Sequence, residues 1–172
     1  MMGMKADDGK YDETLLDPDM RDEIDTMLKV FKHKSPYDIS STKAGVKNKK
    51  LAGKDLLGEL RVMVRNRLYI AAAVLVIQVY CIDLDDIINI YMGGAKKYEA
   101  HNWKKVQPID RYLAAAYRHL SFGENDDDFG GPHLAYFCWN MIALRWFERN
   151  GIRMESDKAS ASAISNAVGG KS

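Results

Sequence analysis

The pattern of apolar and polar positions divides the chain into short helical stretches and turn-rich connections. Asp17-Pro18 marks a helix start, with proline at the first helical position. The residues that follow place Met20, Ile24, Leu28 and Phe31 on one face, which predicts a short amphipathic helix. Residues 34–54, KSPYDISSTKAGVKNKKLAGK, carry turn and linker chemistry instead. Helical patterning resumes at Asp55 and runs to about Met92, with one break expected near Ile82-Asp83. Its most apolar part, LYIAAAVLVIQVYCI from Leu68 to Ile82, is too short for an easy membrane span and contains Gln78. It reads as a buried core helix. Because every face is apolar, periodicity leaves a pair of strands open as the alternative. Gly93-Gly94 reads as the end of this stretch, as glycine does at a helix C-terminus.

Two loops and two helices complete the pattern. After the loop AKKYEAHNWKKVQ, Pro108 opens a helix, PIDRYLAAAYRHL, with Ile109, Leu113, Ala116 and Leu120 as its buried stripe. After the loop SFGENDDDFGG, Pro132 opens the last strong helix, PHLAYFCWNMIALRWFERN, apolar on nearly every face, and Gly151 stops it. The tail from Glu155 is rich in serine and alanine and reads as a loose or disordered segment. About five helices and no alternating strand pattern predict an all-α helical bundle. Its parts are an N-terminal helix and basic linker (1–54), a helical core (55–152) and a C-terminal tail (153–172).

Composition narrows the class. The 172 residues are 47% hydrophobic and 28% charged, with a net charge of +1, a soluble globular balance. Neither a stable nucleic-acid partner nor a membrane is expected. The polar start MMGMKADDGKYDE is no signal peptide. Cys81 and Cys138 each sit in an apolar run and read as small buried hydrophobes, which fits a reducing, cytoplasmic setting. The lysines of the linker, Lys43, Lys47, Lys49, Lys50 and Lys54, form either a solvated loop or a basic flap that meets phosphates.

Candidate chemistry concentrates between Gly93 and Asn140. The first loop holds Lys96, Lys97, Tyr98, Asn102 and Trp103, and the second holds Glu124, Asp126, Asp127 and Asp128. Lysines with an aromatic ring and an amide suit a nucleotide, whose base stacks and whose phosphates need positive charge. Carboxylates in a row suit a hard divalent cation, and they equally suit the N-terminus of the helix that follows. His119 and His133 flank the acidic loop, and His133 shares a face with Asn140, seven residues on. Arg111 and Arg118 also lie seven apart on one face, either as a solvated flank or as two guanidiniums for phosphate. Asp86 and Asn89, three apart on the preceding helix, share a face as well. Neither cysteine has zinc-ligand spacing, which favours magnesium over zinc. The terminal GGKS lacks the upstream glycine of a phosphate-binding loop, and no His-Asp dipeptide or G-x-S-x-G elbow occurs.

As a set, Gly94-Ala95-Lys96-Lys97-Tyr98, Asn102-Trp103, Tyr112, Arg118-His119-Leu120, Gly123-Glu124, the aspartate run, Gly131-Pro132-His133-Leu134 and Asn140 resemble a phage-encoded family of dATP/dGTP diphosphohydrolases. That family is similar to the all-α MazG-type nucleotide pyrophosphohydrolases. The resemblance spans about Asp86 to Leu144. It implies a MazG-like helical fold and cleavage of a (deoxy)purine nucleoside triphosphate, dGTP or dATP, to monophosphate and pyrophosphate. Mg²⁺ is the implied cofactor, with Mn²⁺ as a substitute. Asp86, Glu124, Asp127 and Asp128 are the implied metal ligands. Glu124, Asp127 and His119 are the implied catalytic residues, and Lys96, Lys97, Tyr98, Asn102, Trp103, Arg118, His133 and Asn140 the substrate-binding ones. The family's second acid on the first helix falls at Asn89, an amide. A homo-oligomer is expected. Two other readings are a nucleotide-binding protein without catalysis and a helical interaction protein.

Overall fold

In the computed structural model the described residues are 12–34, 56–122 and 132–169. Among them the chain is all-α, with seven α-helices and no strand. A 3-10 turn at Glu13–Leu15 precedes α1 (Pro18–Lys34), α2 (Leu56–Arg65), α3 (Tyr69–Tyr80) and α4 (Leu84–Lys97). A second 3-10 turn, Asn102–Lys105, precedes α5 (Asp110–Phe122), α6 (His133–Arg149) and α7 (Glu155–Gly169).

The two most apolar helices form the centre. Tyr69, Ile70, Ala72 to Ile77 and Val79 of α3 are all buried, so the strand alternative falls away and the core helix stands. Helix α6 packs against it and buries Phe137, Cys138, Met141 to Leu144 and Phe147. A helix that is apolar all round must be covered on all sides. Helix α1 covers α3, while α5 and α4 cover α6. Met20 and Ile24 of α1 enter the core as their spacing predicts, with Leu28 half-buried. The side chain of Phe31 and the lysines of the linker lie outside the described residues. No helix among the described residues is long and apolar enough to cross a membrane.

Four features depart from the sequence reading. The apolar stretch breaks twice rather than once, because Arg67 at φ 59° also takes a left-handed conformation and ends α2. There the Leu68 amide bonds the Met63 carbonyl, a helix-closing turn made without glycine or proline. Cys81 ends α3 in the same conformation, φ 52°, and its thiol is exposed rather than buried, whereas Cys138 is buried as expected. Helix α4 runs through Gly93-Gly94 to Lys97 instead of stopping there. Finally, the tail forms α7. Asp110, at the first position of α5, accepts bonds from the Glu155 amide (2.8 Å), the Ser156 amide (3.3 Å) and the Ser156 hydroxyl (2.9 Å). A tertiary cap thus supplies what the segment's own composition lacks. Arg67 pairs with Asp157, and Met154 is buried, so the start of α7 is fixed to the body.

Candidate functional site

The α5–α6 seam carries the two histidines. The end of α5 reads His119-Leu120-Ser121-Phe122 and the start of α6 reads His133-Leu134-Ala135-Tyr136, so each histidine has an aromatic residue three positions on. Where the helices meet, these pairs cross over. The Tyr136 ring stacks on His119, with centroids 5.0 Å apart, and Phe122 stacks on His133 at 4.7 Å. Both imidazoles are buried, and their Nδ1 atoms lie 2.9 Å apart. That distance is a hydrogen bond when one Nδ1 carries a proton and the other does not. The histidines therefore join the end of α5 to the start of α6. Glu124, Asp127 and Asp128, on that loop, lie outside the described residues, as does Asp126.

Asn140 lies on the same face of α6 as His133 and is 2% exposed. Its Nδ2 donates to the Tyr136 carbonyl at 2.7 Å, while its Oδ1 has no partner among the described residues. Arg118 and Arg111 are exposed on the outer face of α5.

Helix α4 carries the second group. The Asp83 side chain caps it by accepting from the Asp85 amide, which sets Asp86 in the first turn, half-buried. Asn89 is exposed one turn later. Lys96, Lys97 and Tyr98 are exposed at the other end, with the Lys97 ammonium 5.0 Å from the centre of the Tyr98 ring. Among the described residues Lys96, Lys97 and Asp86 enter no ion pair. The neighbouring lysines are committed: Lys105 bonds Glu99 at 3.0 Å and Lys104 bonds Asp17 at 3.2 Å.

Trp103 lies elsewhere. Its indole packs edge-on against Tyr91, Trp139, Trp146 and Phe147, with centroids 5.3–6.4 Å apart. Tyr112 donates its hydroxyl to the Trp103 carbonyl at 2.7 Å, which holds the 3-10 turn, with Asn102 half-buried at its start, against α5. The Lys104 ammonium sits over Trp146 at 4.7 Å, and the Trp146 indole donates to Asp17 at 3.0 Å. Burial pushes the Asp17 carboxyl up. The Lys104 ammonium, the Trp146 N–H and the Asp19 amide outweigh it and hold the group below the usual carboxylate value. Burial also drives the Tyr91 phenol well above its ordinary value, with the Asp17 charge adding to the effect.

The described residues thus assemble His119 with His133, and Lys96 with Lys97 and Tyr98, and they give Trp103 to an aromatic cluster. No group of three histidine, cysteine or carboxylate side chains among them could hold a metal ion. An open groove between α1 and α6 is lined by Asp19, Glu23, Arg145 and Arg149, whose charges answer one another, and no candidate residue borders it. The sequence reading missed Phe122 and Tyr136, although the repeated His-Leu-x-aromatic spacing was a visible signal. It also missed Asp17, which nothing local links to a lysine 87 positions away.

Residues 79–157 match the model of the dATP/dGTP diphosphohydrolase family, N-terminal region, which bears out the resemblance read from Asp86 to Leu144. No curated protein and no solved structure matches the chain.

Proposed function

From the family match over residues 79–157, we propose that this protein is a metal-dependent nucleoside triphosphate pyrophosphohydrolase acting on dGTP or dATP. Water adds across the bond between the α and β phosphates, giving a nucleoside monophosphate and pyrophosphate. The single observation that carries the reading is that this match covers both candidate groups, the α4 end and the His119–His133 pair with the acidic residues between them in sequence.

Asp86, Glu124, Asp127 and Asp128 would hold Mg²⁺ or Mn²⁺. Asp86 fits a hard cation, being a half-buried carboxylate with no ion-pair partner among the described residues. A divalent ion bound there supplies charge neutralisation and Lewis acidity toward the phosphates. Lys96, Lys97 and Arg118 offset negative charge that builds on the phosphate oxygens. His119 and His133 share one proton between their Nδ1 atoms, so the ring without that proton presents a protonated Nε2 as a donor. His119 would use its ring to orient the attacking water or a phosphate oxygen. Glu124 and Asp127 complete the catalytic set, and Asn140 offers its buried Oδ1 as an acceptor.

The test is incubation of the protein with Mg²⁺ and a panel of nucleoside triphosphates, with monophosphate and pyrophosphate measured as products. Glu124→Gln and Asp127→Asn should each lower kcat by at least a hundredfold while leaving the helical circular dichroism unchanged, an order of magnitude set by loss of charge stabilisation at the reacting centre. No turnover of any nucleotide by a folded wild-type chain sinks the enzyme reading.

A second reading, a nucleotide binder without catalysis, rests on Asn89, an exposed amide where the resembling family places an acid. Its signature is tight binding with the nucleotide recovered intact.

A further inference from the structure

Helix α4 contains two glycines that its packing against the described residues does not require. Gly93 and Gly94 lie inside the helix, and neither has a positive φ. A Cβ built on either would meet no neighbouring atom of the described residues within 4 Å. Glycine inside a helix lowers its stability relative to alanine, and no close packing among the described residues compensates. What the pair provides is bare helix backbone open to a molecule from outside.

The residues around it indicate which molecule. At 100° per residue, Asp86, Gly93 and Lys97 fall within roughly 20° of one line along α4, and they span roughly 16 Å of its length. Asp86, with no ion pair among the described residues, stands at one end of this line and Lys97 at the other, and exposed Lys96 and Tyr98 flank the Lys97 end on either side. Tyr98 is 63% exposed, whereas the Trp103 ring is enclosed by four aromatic neighbours. A stacking base needs a ring face it can reach. We infer that a nucleoside triphosphate lies along this face of α4, with its base stacked on Tyr98 and its phosphates passing over Gly93 toward Asp86. The inference rests on the hydrolase reading above and assigns base contact to Tyr98 in place of Trp103. Lys96 and Lys97 flank the sugar and the first phosphate, where a flexible point charge serves better than a fixed hydrogen-bond fork. Any Cβ at position 93 intrudes on the path of the phosphates.

The test is calorimetric binding of the α,β-methylene analogue of dGTP, with Mg²⁺, to the full chain. Tyr98→Ala should weaken binding on the order of tenfold, and Tyr98→Trp should keep or tighten it. Gly93→Leu should weaken binding at least as much while raising the melting temperature, because leucine favours the helix and meets open space. A purely structural glycine would do the reverse, lowering the melting temperature and leaving the Kd alone. If wild type binds and both Tyr98→Ala and Gly93→Leu bind equally well, the inference is overturned and the hydrolase reading stands. A lowered melting temperature in Gly93→Leu also overturns it. A wild-type chain that binds no nucleoside triphosphate overturns both.

Discussion

Lys96, Lys97, Lys104 and Lys105 are alike in the sequence, yet the fold gives Lys104 to Asp17 and Lys105 to Glu99 and leaves the first two without a carboxylate among the described residues. Asp17 shows why such pairing matters. Its folded pKa lies below the ordinary value of 3.8, so its contribution to stability is fully present above that value. It is lost as the pH falls from there through the depressed folded value. Asp17→Asn should therefore lower stability at neutral pH by about 1–3 kcal/mol, the worth of hydrogen bonds to a charged group. The difference between wild type and variant should shrink as the pH drops below the carboxylate range. Urea unfolding at a series of pH values measures both, and a pH-independent gap would show that lost packing, not charge, is responsible. The histidines make the same point about neighbours. Each reads as an isolated polar residue on a helix face, and only the crossing of α5 and α6 brings Nδ1 to within 2.9 Å of Nδ1.

Elements were legible where local rules decide them and illegible where a distant group does. Pro18 and Pro132 mark the starts of α1 and α6, and Gly151 at φ 71° follows the end of α6, all as local chemistry predicts. The break expected near Ile82-Asp83 falls at Cys81, but the one at Arg67 carries no glycine, so residue type gave no warning of that left-handed turn. Gly93-Gly94 gave the opposite signal, suggesting a stop where α4 continues. The tail was read as loose because its serines and alanines cannot cap or bury themselves. Asp110 caps it from 45 residues away. Asp110→Ala should accordingly fray the first turn of α7 at a cost of about 1 kcal/mol. Hydrogen exchange is expected to show faster exchange of the Glu155 and Ser156 amides, with the amides of α3 unchanged. Equal loss of protection in both helices would mean that α7 is not a separate unit.

For the whole molecule, stability rests on the packing of α3 and α6. Phe137 is fully buried in that core, so Phe137→Ala should cost about 3–5 kcal/mol and lower the urea midpoint of the entire helical signal, not one part of it. A biphasic transition would contradict a single core. The exposed Ile164 and Val168 on α7, with the homo-oligomer expected of an apolar bundle, make native mass the measurement of choice for oligomeric state. The sequence by itself determined the all-α class, the central place of residues 68–82 and 132–150, and the family resemblance. Those follow from apolar runs, helix-start prolines and ordered motifs, which are local properties of the chain. The tertiary structure alone decided that Trp103 is enclosed while Tyr98 is open, that His119 meets His133, and that the bare backbone at Gly93 faces outward. Each of these depends on which helix faces meet, and that is settled by packing between segments far apart in the chain.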